Sequence, residues 1–123
     1  MILTPHVGGS TEEAQLNIGD FVARRIINYI NMGDTTQSVN LPVVQLPVLK
    51  DAHRLIHIHE NVPGILAQIN QLFAKHNINV LWQSLRTNEQ VGYIITDINK
   101  NFDKELINEL KQITHTIKFR ILY

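Results

Sequence analysis

The stretch His57-Ile58-His59-Glu60-Asn61-Val62-Pro63-Gly64 decides how this chain of 123 residues folds. It follows an apolar strand signal, Arg54-Leu55-Ile56, and precedes a helix signal over 65–73. Val62 stands before a proline and is pushed towards an extended conformation, so the strand is predicted to end near it. Pro63 suits the first helical position, because an N–H group has no partner to lose there. The pattern predicts a strand-to-helix corner rich in polar side chains.

This corner has the chemical make-up of a small-anion site. Gly64 has no side chain, so a ligand can approach the backbone there. The predicted helix begins with unpaired N–H groups and a partial positive charge, which attract a carboxylate or a phosphate. We therefore expect the segment from Val62 to Ile65 to face a small anionic group.

The chain around and after this corner alternates strand and helix signals in a regular order. The predicted elements are a strand over 54–59, a helix over 63–76, strands over 79–86 and 91–98, a helix that contains Phe102, Leu106, Ile107 and Leu110, and a strand over 116–123. The order βαββαβ is typical of the ferredoxin-like α+β fold, a four-stranded antiparallel sheet with both helices on one face. Such a small unit buries a modest core, so dimerisation is expected.

A long helix is predicted before this unit. Apolar residues recur at helical spacing between Ala14 and Ile30, which predicts an amphipathic helix over 11–31 that ends at Gly33. Ser10 followed by Glu13 has the pattern of a capping box at its start. The broad apolar face of this helix needs a partner, either a second chain or neighbouring domains.

Composition argues against several classes of function. The 11 lysine and arginine residues balance the 11 aspartate and glutamate residues, whereas nucleic-acid-binding surfaces usually carry a basic excess. The chain has no cysteine, so it has no disulfide or thiolate zinc site and suits a reducing compartment. No apolar run approaches the roughly 18 residues of a membrane span, and the first residues do not resemble a signal peptide. We expect a cytoplasmic protein that binds neither nucleic acid nor membrane.

Two histidines are candidate metal ligands. His57 and His59 lie two residues apart on a predicted strand and therefore share one face. Zinc needs a third and usually a fourth ligand, and the sequence offers no cysteine and no second histidine pair of this kind. Glu60, His76 and Asp97 could contribute only if the fold happened to bring them near. We expect no metal site.

Asn61 and Asn79 are candidate ligands of another kind. The asparagine amide both donates and accepts hydrogen bonds, so it can hold the ammonium and carboxylate groups of a free amino acid. Both residues lie at the ends of predicted elements. The alternative is that Asn61 caps a helix and that Asn79, close to Asn77, belongs to a turn. Spacing alone favours this alternative.

His6 is a third candidate, because a histidine in front of a helix could act as a general acid or base. The sequence supplies no carboxylate partner and no substrate pocket for it. The neighbouring Gly8-Gly9 is not a dinucleotide fingerprint, since the third glycine and the preceding strand are missing. On its own, His6 is expected to be a surface histidine.

Two separate stretches resemble the same enzyme family. Thr4-Pro5-His6-Val7-Gly8-Gly9-Ser10-Thr11-Glu12-Glu13-Ala14-Gln15 resembles the end of the nucleotide-binding domain of D-3-phosphoglycerate dehydrogenases, a motif shared with other D-2-hydroxyacid dehydrogenases. The stretch 57–64 resembles the start of the ACT domain in the bacterial, serine-inhibited form. Three further stretches fit the family in the same order: Ser38-Val39-Asn40-Leu41-Pro42, Asn77-Ile78-Asn79-Val80 and Arg120-Ile121-Leu122-Tyr123. The resemblance covers essentially the whole chain.

The resemblance implies a regulatory role. Enzymes of this family oxidise 3-phosphoglycerate with NAD, the first step of serine synthesis. Their ACT domains pair side by side and join their sheets, and L-serine binds at the interface as a feedback inhibitor. The positions that match the family's serine ligands are His59 and Asn61 from one subunit and Asn79 from the other. Val62 and Gly64 belong to the same effector corner.

The chain departs from the family in what it lacks. The substrate domain and nearly all of the nucleotide-binding domain are absent, and neither a dinucleotide-binding glycine loop nor a substrate-binding arginine can be found. His6 matches the family's catalytic acid–base histidine but has no partner. We therefore expect this chain alone to be inactive and to hold no NAD.

The expected organisation has three parts: a remnant of the nucleotide-binding domain over 1–33, a linker over 34–52 and an ACT regulatory domain over 53–123. The linker is predicted from its prolines and its lack of a helical period. Serine bound across two chains would stiffen the dimer, and residues 33–51 would pass the change to a catalytic domain. The alternative from another class is a stand-alone ferredoxin-like interaction module without an amino-acid ligand.

Overall fold

The computed structural model describes residues 8–46, 51–99 and 102–123. Within these residues the chain forms three helices and four strands. They follow one another as α1 (Glu12–Met32), β1 (His53–Glu60), α2 (Ile65–Lys75), β2 (Val80–Thr87), β3 (Val91–Ile98), α3 (Lys104–Gln112) and β4 (Thr116–Leu122). The order after α1 is the predicted βαββαβ, and each predicted element lies within a few residues of its expected bounds.

The four strands form one antiparallel sheet in the order β2-β3-β1-β4. The register of the two central strands places His53 opposite Ile98 and Glu60 opposite Val91. β2 and β4 are the edge strands. The predicted ferredoxin-like sheet is therefore confirmed, and the end of β1 lies beside the start of β3.

Helices α2 and α3 pack on the same face of the sheet. Alternate side chains of the central strands, such as Leu55 and Ile94, point towards them and are almost fully buried. The helices contribute Ile65, Ile69, Phe73, Leu106, Ile107 and Leu110 to this core. This core fixes α2 directly behind the corner at residues 60–64.

The opposite face of the sheet is covered by the segment that follows α1. Val44 packs there against a second buried cluster formed by Ile56, Ile58, Tyr93 and Ile95. Thr35 folds this segment back on itself, because its hydroxyl donates to the Pro42 carbonyl at 2.7 Å and accepts the Val44 N–H at 2.8 Å. In residues 34–46 the predicted connector is thus a packed cover for the sheet.

Side chains of the sheet hold the C-terminal end of α1. Arg54 donates to the Met32 carbonyl at 3.2 Å, and the Tyr93 hydroxyl donates to the Gly33 carbonyl at 2.9 Å. Arg120 donates to the Ile30 carbonyl at 2.8 Å. These bonds satisfy carbonyls that the last turn of a helix leaves unpaired, so they anchor α1 on the sheet.

The rest of α1 is exposed, and no residue of this helix is buried. Its uncovered apolar side chains are Leu16, Ile18, Phe21, Val22, Ile26, Ile27 and Ile30. The long amphipathic helix is confirmed, and about half of the surface of most of its apolar side chains stays exposed among the described residues. None of the described helices is both long and apolar enough to cross a membrane.

Two predicted details of the helix starts are wrong. The N-cap of α1 is Thr11 rather than Ser10, and its hydroxyl accepts the N–H of the third helical residue at 3.1 Å. Pro63 is not the first residue of α2, which begins at Ile65. Gly64 has a φ of 92°, a left-handed conformation that separates the proline from the helix and favours glycine.

Candidate functional site

The corner between β1 and α2 is tied to the turn between β2 and β3. The Asn61 side chain donates to the Asn88 carbonyl at 2.8 Å, and its backbone N–H donates to the Gln90 carbonyl at 2.9 Å. Asn88 in turn accepts the N–H groups of Gln90 and Val91 with its side-chain oxygen. The hypothesis that Asn61 caps α2 is wrong, because the cap position is Gly64 and no side chain caps it.

His59 is buried at the end of β1, with 3% of its surface exposed. Its Nδ1 lies 2.6 Å from the Glu60 carbonyl oxygen. A carbonyl can only accept, so Nδ1 carries the hydrogen and Nε2 of the neutral ring is a free acceptor. Nε2 is buried and has no hydrogen-bond partner. An unpaired buried acceptor is costly, so a donor group that reached this nitrogen would stabilise the site.

His57 lies beside His59 on the same face of β1, as predicted. The two rings stack with their centroids 5.6 Å apart. Nε2 of His57 lies 2.8 Å from the Thr116 hydroxyl, which itself donates to the Ile113 carbonyl and therefore accepts from His57. Burial, reinforced by His59, lowers the pKa of His57 to about 4, although the neighbouring Leu110 backbone opposes the shift. His57 is therefore neutral at physiological pH.

The paired histidines do not form a metal centre in the described part of the chain. No three histidine, cysteine, aspartate or glutamate residues within 8–46, 51–99 and 102–123 are grouped so that they could hold an ion. One nitrogen of each ring already forms a hydrogen bond: Nε2 of His57 with the Thr116 hydroxyl, and Nδ1 of His59 with the Glu60 carbonyl. The geometry favours recognition of a hydrogen-bonding ligand over metal binding.

Val62 and Gly64 shape the entrance to α2. Val62 is half-buried and packs against the core under the helices. Gly64 is exposed, and a β-carbon there would meet nothing within 4 Å. The space over Gly64 is open, and the N-cap has no side chain that could bond the first amides of α2. A carboxylate could approach these amides without displacing a protein group.

Asn79 lies at the other end of the sheet from Asn61 in the same chain. It precedes β2, whose first residue pairs with Ile98 at the end of β3, whereas Glu60 pairs with Val91 at its start. Eight-residue strands separate the two asparagines by about 25 Å, at about 3.3 Å per residue. One chain does not bring them together. His6 lies outside the described residues.

A model of the AHAS small subunit-like ACT domain matches residues 55–118, which is about half of the chain. The match covers the corner, both helices of the ferredoxin-like unit and most of its sheet. The chain belongs to the ACT domain family.

Relatives of this ACT domain chain carry the name D-3-phosphoglycerate dehydrogenase. The chain is 48% identical over 123 residues to the relative from Haemophilus influenzae, and 46% identical over 125 residues to the one from Escherichia coli. A third, from Dictyostelium discoideum, is 44% identical over 122 residues. The alignments cover 99–100% of the chain but 30% of each relative. The chain corresponds to their C-terminal part, and their NAD-binding region lies outside the match.

Two solved structures share the fold of this ACT domain. The ACT domain from GTP pyrophosphokinase of Chlorobium tepidum has a TM-score of 0.50 at 19% identity and covers 58% of this chain and 96% of its own. The regulatory subunit of aspartate kinase from Thermus thermophilus, in its ligand-free form, has a TM-score of 0.52 at 17% identity. The match covers 65% of this chain and 56% of that subunit. They support the architecture.

Several residues at the corner of this ACT domain were not predicted from the sequence. Asn88 and Gln90 lie between the predicted strands over 79–86 and 91–98, and their backbone carbonyls accept hydrogen bonds from Asn61. His115 forms a 2.6 Å pair with Glu60 beside the same corner. A glycine inside a strand, as at Gly92, often marks a close approach of another group, and that signal was present in the sequence.

Proposed function

We propose that this chain is the regulatory part of a D-3-phosphoglycerate dehydrogenase, which binds L-serine as a feedback inhibitor at the interface of two ACT domains. The observation that carries the proposal is 48% identity, over the whole chain, to the C-terminal part of a protein of that name. The chain alone is proposed to be non-catalytic. The parent enzyme would use NAD to oxidise 3-phosphoglycerate in the cytoplasm.

The position of Asn79 supports a site shared by two chains. If the β2 edges of two copies pair across a two-fold axis, the strands run antiparallel, and the start of one β2 lies at the end of the other. Asn79 of one copy then arrives at the sheet end that carries the Asn61 corner of the other copy. Three strand spacings, about 14 Å, would separate β1 from the β2 of the other copy.

The other sheet edge is a poorer choice for this site. Pairing through β4 would put five strand spacings, about 24 Å, between β1 and the β2 strand of the other copy. The Asn61 amide already reaches towards the β2 side of the sheet, where it bonds the Asn88 carbonyl. β2 also exposes Val80, Leu81 and Leu85, apolar side chains that a paired copy would cover.

The polar groups of the corner match the groups of a small amino acid. The free Nε2 of His59 accepts from an ammonium or hydroxyl group. The amides at the start of α2, open above Gly64, suit the carboxylate. The amides of Asn61 and of Asn79 from the second chain would complete the shell, with Val62 as its apolar wall.

The organisation proposed for the chain has three parts: 1–33 from the nucleotide-binding domain, a linker over 34–52, and the ACT regulatory domain over 53–123. His6 would be the catalytic histidine of the intact enzyme. No nucleic acid or membrane partner is proposed.

Calorimetric titration of the purified chain with L-serine tests the proposal. We expect binding, and Asn61→Ala should weaken it by about 1–3 kcal/mol, the cost of leaving a desolvated polar group unpaired. Asn108→Ala is the matched control, because Asn108 is exposed on α3, away from the corner. Unchanged affinity in Asn61→Ala would remove Asn61 from the site. Sedimentation should show a dimer, and a monomer with full serine affinity would contradict the two-chain site.

A second candidate is a stand-alone interaction module without an amino-acid ligand. The exposed apolar face of α1 favours it, together with a groove of about 420 Å³ between α1 and residues 34–41. Thermal unfolding separates the two functions. A bound amino acid raises the melting temperature as its concentration rises, whereas an interaction module without this ligand is unaffected.

A further inference from the structure

Gly92 and His59 approach each other unusually closely on the helix-covered face of the sheet. They are register partners on the neighbouring strands β3 and β1. A β-carbon built on Gly92 would lie 2.1 Å from Cε1 of His59 and 2.3 Å from its Nε2. The histidine ring therefore occupies the space where any other residue would place its side chain.

The backbone of Gly92 gives no other reason for a glycine. Gly33 and Gly64 have φ values of 78° and 92°, which favour glycine, but Gly92 is not among the described residues with positive φ. It lies in a regular part of β3, where a glycine weakens a strand because it has no side chain to pack. The space that the ring needs explains why a glycine is present.

The same contact determines where the free acceptor of His59 lies. Nδ1 is held by the Glu60 carbonyl at 2.6 Å, which leaves the Cε1–Nε2 edge of the ring over Gly92. That edge lies above β3, the strand between β1 and the β2 edge. A side chain at residue 92 would have to push the ring away, and Nε2 would move with it.

We propose that Gly92 is a positioning residue of the amino-acid site: its bare α-carbon lets the His59 ring lie across β3 and present Nε2 to a donor group of the ligand. The inference rests on the proposed function, since it concerns the same site. The ligand group that it assigns to Nε2 is a hydroxyl or ammonium, because these groups have a hydrogen to donate and an ionised carboxylate has none.

The test compares Gly92→Ala with Gly19→Ala. A β-carbon on Gly19, in α1, would meet nothing within 4 Å, so this control adds a methyl group without a clash. We expect Gly92→Ala to weaken L-serine binding by about tenfold, the effect of one lost hydrogen bond in a desolvated site, and Gly19→Ala to leave it unchanged. Wild-type affinity in folded Gly92→Ala would overturn the proposal.

A second background keeps the test decisive if Gly92→Ala fails to fold. His59→Ala removes the ring. The double variant His59→Ala/Gly92→Ala should therefore fold even if Gly92→Ala alone does not, and it should bind serine as tightly as His59→Ala. A double variant that stays unfolded, or that loses affinity again, would show that the clash does not act through His59 and would overturn the proposal. The NMR signal of the His59 Cε1–H should shift in folded Gly92→Ala, and an unmoved ring signal would also refute it.

The design separates this inference from the proposed function. If the wild-type chain binds no amino acid, the function is wrong and the ligand role of Gly92 falls with it. If the wild type binds L-serine and Gly92→Ala binds it equally well, only the positioning role fails.

Discussion

Removing the guanidinium of Arg54 should destabilise the fold more than any surface change. Arg54 is fully buried, and its Nε and Nη2 donate to the two carboxylate oxygens of Asp97 at 2.7 Å each. A third nitrogen donates to the Met32 carbonyl, and the guanidinium lies 5.9 Å from the centre of the Trp82 ring. The perturbation is Arg54→Met, which keeps most of the side-chain length but removes the charge and every donor.

The magnitude follows from what the substitution leaves behind. Asp97 is 6% exposed, so its carboxylate would stay buried without the partner that compensates its desolvation. Breaking one side of a buried ion pair costs about 3–5 kcal/mol. A domain of this size has about 5–15 kcal/mol of total stability, so we expect the loss of about a fifth or more of the free energy of unfolding.

The assay is urea denaturation followed by circular dichroism, with the paired variant Arg54→Met/Asp97→Leu as the matched control. Replacing both charges by apolar side chains removes the unpaired carboxylate, so the double variant should recover about half or more of the loss. A single variant that loses less than about 1 kcal/mol, the range of exposed ion pairs, would refute the reasoning. A double variant no more stable than the single would refute it as well.

The remaining predictions concern the corner. The pKa of His57 falls from 6.5 to about 4 on folding, so between these pH values the unfolded chain binds more protons than the folded chain. The free energy of unfolding should therefore decrease as the pH is lowered from 6.5 to 4, by about 3 kcal/mol at most. His57→Gln should flatten this part of the profile in urea melts at stepped pH, and an unchanged slope would contradict the assignment. Gly64→Ala should cost about 1–2 kcal/mol through its left-handed backbone alone. A free energy of unfolding within a few tenths of a kcal/mol of the wild-type value would contradict this cost, because it would show that the turn relaxes.

The sequence predicts most of the fold because its local signals agree with the packing. Apolar spacing in α2 and α3 coincides with the buried face of each helix, and alternation along β1 and β3 coincides with the two faces of the sheet. The helix starts were less predictable. Both Ser10 and Thr11 can cap a helix, and only the backbone conformation selects Thr11.

The corner could be predicted only in part, because its contacts join residues far apart in the chain. Asn61 was recognisable as a polar residue at an element end, but its bond to the Asn88 carbonyl spans 27 positions. The buried pair of Arg54 and Asp97 spans 43 positions, and the sequence suggested only the strands that carry them. Pairwise contacts of this kind depend on strand register, which a single sequence does not determine.

The two central strands connect the corner with the base of α1. β1 carries Arg54 near its start and His59 near its end, and β3 carries Asp97 and Gly92 at the corresponding ends. Arg54 donates to the Met32 carbonyl in the last turn of α1, so we propose that β1 offers a second route from the corner to α1, besides the linker. The sequence hypothesis placed the coupling in residues 33–51 alone. Serine affinity measured in Arg54→Met therefore separates the two routes: a linker-only route leaves the affinity unchanged as long as the domain stays folded, whereas coupling through β1 changes it.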